Sequence, residues 1–158
     1  MSCGVALAVS LLLSDPDVAL AAAQPPAPAE APVSVAGEPL FADIVAQSGA
    51  MRNIVRRWID MGRADDPTFG SSEEFRMMAR GAESLAARDM QAHLILKERG
   101  TDGDLKCILR GIAEDIPVKV AAVEAATTSA ERRVALDELH YLFNDNVEVI
   151  TAPPQPEV

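Results

Sequence analysis

The chain is poor in the residues that most specific chemistry needs. It has two cysteines and two histidines in 158 residues. Cys3 stands in the N-terminal leader and Cys107 is alone in the rest, so a chain that has lost its leader cannot form an internal disulfide. Cys107, His93 and His140 are too thin a supply for a zinc site of three or four convergent ligands. Aromatics are scarce: one Trp, one Tyr and four Phe. No segment alternates apolar and polar residues for long, which argues against β-sheet. Positive charge is in deficit, with 14 Lys and Arg against 24 Asp and Glu and a net charge of −10, whereas a general nucleic-acid binder would show a basic surplus. No apolar run is long enough to span a bilayer, Val5–Leu13 being the longest in the leader.

What is present is helical periodicity. Phe41, Ile44, Val45, Met51, Val55, Trp58 and Ile59 fall on one face of a helix expected over Leu40–Met61, with Pro39 suited to its first turn and Gly62 to its end. Phe75, Met78, Ala82, Leu85 and Leu96 do the same for a second helix over Ser72–Arg99, entered through a capping box at Ser71 and Glu74 and closed by Gly100. Leu105, Ile108, Leu109, Ile112 and Ile116 mark a third, which Pro117 is expected to kink or interrupt. Leu136, Leu139, Phe143, Val147 and Ile150 mark a fourth, opened by a capping box at Thr128 and Glu131. Short connections make the helices antiparallel neighbours. The fold class is therefore all-α, an up-down-up-down four-helix bundle over residues 40–150 with disordered N- and C-terminal segments.

The ends carry a different composition. Residues 1–23 combine the Val5–Leu13 run with Ala-rich cleavage patterns at Ala19–Ala21 and before Gln24, as an export signal does. Residues 24–39 hold five prolines among Ala and Glu and read as an extended linker; residues 151–158 read as a Pro-rich tail. These features predict a periplasmic or secreted protein that is not an integral membrane protein after processing.

Three groups of residues are candidates for function. Asp89 and His93 stand four apart on the core-facing stripe of helix 2, a pair that is either hydrogen-bonded in the core or part of a metal site needing a third ligand. Arg52, Arg56 and Arg63 fall along one flank of helix 1, where an anionic partner surface would meet them. Ile54, Met61, Met77 and Ile95 lie off their helices' apolar stripes and suit a dimer or partner surface. Asp137 and His140 have the i,i+3 spacing of a di-metal bundle, but Asp137 projects away from the apolar face. Neither a nucleophile elbow nor a phosphate-cradling glycine loop is present.

Met51 is central on helix 1 and His140 lies on helix 4. In this the chain resembles the periplasmic four-helix-bundle cytochromes, cytochrome c-prime and the soluble b-type proteins. The resemblance implies a haem b cofactor with Met51 and His140 as its iron ligands. The haem-attachment motif Cys-x-x-Cys-His is absent, the chain reading Leu136-Asp137-Glu138-Leu139-His140 there. From the residues themselves, the expectation is an acidic, exported, non-catalytic interaction or structural module without cofactor, acting through a protein partner or self-association, not through nucleic acid.

Overall fold

Pro39 sets the first turn. It lacks the amide hydrogen that a first-turn residue has no use for, and α1 runs from it through Pro39–Asp60. Gly62, at φ +69°, turns the chain out of the helix. Two 3-10 turns, Arg63–Asp65 and Phe69–Ser71, lead to α2, Glu73–Glu98. Gly100, at φ +64°, follows its end. The third helix, α3, spans Leu105–Ala125, and α4 spans Ser129–Thr151. The computed structural model describes residues 34–100 and 104–152. Residues 1–23, where an export signal is expected, most of the expected linker and all but the start of the tail lie outside them.

The described residues form an all-helical bundle with no strands. The helices are ordered round the bundle as along the chain: α1 packs on α2 and α4, and α3 on α2 and α4. Cross-links between the helices show the antiparallel course. Glu38, ahead of α1, meets Arg99, after α2, while Trp58 near the end of α1 meets Glu74 at the start of α2. Lys119 and Glu138 join α3 to α4. Such exposed pairs contribute little each and serve here as markers of register.

One local expectation is corrected. The cap of α2 is Ser72, not Ser71: its hydroxyl accepts the Phe75 amide, and no capping box forms. Ser71 belongs to the preceding 3-10 turn, and Glu74 is engaged by Trp58 and Arg63 instead. Pro117 does not interrupt α3, which continues through it. Proline has no amide hydrogen to give the Ala113 carbonyl one turn back, and its ring lies on the exposed side of the helix. Pro117→Ala restores that bond and raises stability by about 1–3 kcal/mol, read as a higher urea midpoint. The capping box of α4 forms as expected: Thr128 Oγ1 accepts the Glu131 amide, and the Glu131 carboxylate accepts the Thr128 amide at 3.0 Å. The amides of Thr128 and Thr127 and the Thr127 hydroxyl, all donating to it, hold the Glu131 carboxyl below its usual range.

The buried stripes follow alternating steps of three and four. On α1 they are Phe41, Ile44, Ser48, Met51, Val55 and Trp58; on α4, Arg132, Leu136, Leu139, Phe143, Asn146 and Ile150. Each contains polar residues at core positions, which fix register at some cost in stability. One end of the bundle is closed by the α1–α2 loop. Phe69 enters the core there and packs against Trp58 and Phe75, ring centroids 5.0 and 5.6 Å away. Gly70 beside it passes so close to α3 that a Cβ would lie 2.8 Å from the Val123 carbonyl oxygen.

Candidate functional site: a methionine groove and a buried polar knot

The first and second helices meet less intimately than the other neighbours round the bundle, and a groove of about 430 Å³ runs between them. Met51 and Met78 form part of its floor with Trp58; Ile54, Met61 and Met77 flank it. Met61 and Met77 are each 60% exposed, although both are apolar. Three of the four off-stripe apolar residues thus converge on one surface. Ile95 does not, because it lies far along α2 from the groove. Gly81 makes room for the floor: the Met51 methyl occupies the space a Cβ there would take, at 2.7 Å.

Charge on the groove's rim is unevenly used. The Glu74 carboxylate takes the Trp58 indole N–H at 2.6 Å and the Arg63 guanidinium at 2.7 Å. Arg57 is exposed on the opposite rim and has no ion-pair or side-chain hydrogen-bond partner among the described residues.

The arginine flank is redistributed. Arg52 donates to Asn144 on α4 at 3.0 Å, and Arg56 pairs with Asp60 at 3.1 Å, both on the α1–α4 side. Arg63 does not continue their row. The helix ends at Asp60, and the left-handed Gly62 swings Arg63 away to Glu74 and over the Phe69 ring, so extrapolating the helical wheel past Gly62 misplaces it. The three do not form one stripe, and each has a partner within the chain.

Met51 and His140 also lie on different sides of α1. Met51 lies against Gly81 on α2, while His140 sits half-buried beside Arg56 and Arg52. Burial and those two cations lower its pKa below the usual histidine value. The groove that holds Met51 does not include His140.

Asp89 and His93 are both buried, as their stripe implies, but turn to different partners. His93 Nδ1 lies 2.5 Å from the Lys106 carbonyl oxygen and donates its proton there, tying α2 to α3. Asp89 faces Asn146 on α4, whose amide donates to Asp89 Oδ2 at 2.9 Å and lies 3.0 Å from Ser48 Oγ on α1. All three residues of this knot are fully buried. Burial pushes the Asp89 carboxyl up to about 7, against the opposing effect of the Asn146 bond. No cluster of three or more His, Cys, Asp or Glu able to hold a metal ion occurs among the described residues, so the pair gains no third ligand there.

Ser48 and Asn146 are the residues that an apolar-only reading of the stripes passes over. Their signal is in the spacing, since each occupies a core step that an apolar residue would otherwise fill. Compared with protein-family models, with curated proteins and with solved structures, the chain matches none.

Proposed function

We propose that the protein is a non-catalytic docking module whose α1–α2 groove receives the apolar face of a helix from a partner protein. The observation that supports this reading is the convergence of Ile54, Met61 and Met77 with Met51 and Met78 on one surface. Methionine is unbranched and polarizable, and adapts to the shape of an apolar ligand. Along α1 the groove reaches from Met51 to Met61, about 15 Å at the rise of an α-helix. That length matches about ten residues of a docked helix, enough for apolar side chains at i, i+3 and i+7. Arg57 adds a requirement for charge: the rim has a free cation, while its carboxylate is already committed, so the fitting helix carries an acidic residue beside its apolar face. Export to the periplasm or beyond belongs to the same proposal and rests on the composition of residues 1–23.

The test uses a synthetic amphipathic helix with leucines at i, i+3 and i+7 and a flanking glutamate. Trp58, the only Trp, lines the groove and reports binding by its emission. Met77→Glu is expected to weaken binding at least tenfold, or about 1.4 kcal/mol, with little effect on the unfolding midpoint because the side chain is exposed. No saturable change, or one indifferent to Met77→Glu, would remove the groove as the docking surface.

A further inference from the structure

With an ionised carboxylate, the knot at Ser48, Asp89 and Asn146 is only half-satisfied. Asn146 uses its amide hydrogens on Ser48 and Asp89 Oδ2. The remaining oxygens, Asp89 Oδ1 and Asn146 Oδ1, are both buried and have no donor within reach among the described residues. They belong to two groups already joined by one hydrogen bond, and a carboxylate and a carboxamide oxygen can share only a hydrogen that one of them carries. Two buried acceptors without donors are costly, and one of them would hold a full charge.

We propose that Asp89 is held as a neutral carboxylic acid, with its Oδ1–H donating to Asn146 Oδ1 while the Asn146 amide donates back to Asp89 Oδ2. The proton is thus a structural ligand that completes a two-way acid–amide pair between α2 and α4, with Ser48 of α1 bound to the same amide. It is taken up from solvent on folding and returned when the core opens. No bond other than O–H forms or breaks.

Among the described residues, no charged group is placed to stabilise the anion instead. Arg88, the preceding residue on α2, reaches outward to Asp43 of α1. His93, one turn on, gives its Nδ1 proton to Lys106 of α3. On α4, Asp145 precedes Asn146 and is itself acidic, and Arg52 of α1 is taken by Asn144. The buried residues of α3 are apolar throughout, including Leu109, Ile112 and Ile116. Burial accordingly dominates and pushes the carboxyl up to about 7, well above the ordinary aspartate range.

The sign follows from linkage. With the folded value raised above the unfolded one, the folded state binds more protons between them, and stability falls as pH rises from about 4 to about 7. The folding equilibrium loses about tenfold per pH unit in that window and levels off above it. Asp89→Asn keeps both bonds, the new amide donating to Asn146 Oδ1, and has no proton to lose.

The experiment has two arms. In the wild-type protein, the Asp89 side-chain carbon signal followed by NMR should titrate near neutrality, well above the other aspartates. In D89N, the urea midpoint should match wild type near pH 4.5 and exceed it at pH 8. A wild-type Asp89 that titrates near 4 would overturn the proposal, as a water donating to both oxygens of an ionised knot would produce. So would a folded D89N that is less stable than wild type at pH 8. If D89N does not fold, the wild-type titration alone decides.

Discussion

Arg132→Ala is expected to destabilise the protein by about 3–5 kcal/mol, more than any exposed substitution. The Arg132 side chain is almost wholly buried. Its Nη1 donates to the Ala64 carbonyl in the α1–α2 loop, and its Nη2 to the Ala126 carbonyl, at 3.2 Å, where α3 ends. One guanidinium thereby pins two chain reversals at the same end of the bundle. Truncation leaves both carbonyls without that donor and opens a void the size of the side chain. Arg132→Lys keeps the charge but offers no planar fork, and should lose an intermediate amount. Arg133→Ala is the control: its side chain is exposed and lies 3.9 Å from Asp65, so about 0.5 kcal/mol or less is expected. Urea unfolding followed by Trp58 emission measures all three. If the Ala variant at 132 behaves like the one at 133, Arg132 does not pin the loop.

Phe69→Ala should cost a similar amount, about 3–5 kcal/mol. Phe69 sits on a three-residue 3-10 turn, yet it is as buried as any helical core residue. Its ring stands edge-on to Trp58 and to Phe75, and Arg63 lies 5.9 Å above it. Removing it empties the end of the core and uncovers the Trp58 indole. The folded variant should therefore emit at longer wavelength than wild type, a change that simple loss of stability does not produce. Phe69→Leu fills most of the volume without the edge-to-face contacts, and should cost about half as much. Emission unchanged in folded Phe69→Ala would mean that the loop closes over Trp58 without this ring.

Both predictions concern a loop whose sequence gives little warning of its weight. Asp65-Asp66-Pro67-Thr68-Phe69-Gly70 is polar and turn-forming, and it is the turn chemistry that is legible: Asp66 Oδ1 accepts the Thr68 amide and hydroxyl, at 2.8 and 2.7 Å. Those bonds, with Arg63 and Arg132 nearby, hold the Asp66 carboxyl below its usual range. That Phe69 points inward is fixed by the space left between α1 and α2, and that Gly70 must be glycine is fixed by α3, some fifty residues on. Arg132 shows the same limit in another form. Its position continues the α4 stripe one step before Leu136, but an arginine there reads as solvent-facing until two carbonyls from other segments are seen to meet it.

By itself the sequence determined the helices, because their periodicity, caps and stops act over three or four residues and need no partner. The apolar stripes, the capping box at Thr128, the ends at Gly62 and Gly100 and the antiparallel order all follow from such local rules. Only the tertiary structure decided which residues act together. It gathered Ile54, Met61 and Met77 into a groove, separated Met51 from His140 and Arg63 from Arg52, and gave Asp89 an asparagine for a partner where its own helix offered His93. The reason is physical. A helical wheel gives the direction of a side chain about its own axis, but the rotation and spacing of one helix against another are set by packing between residues far apart in the chain. Hydrogen bonds and grooves depend on ångström differences in that packing.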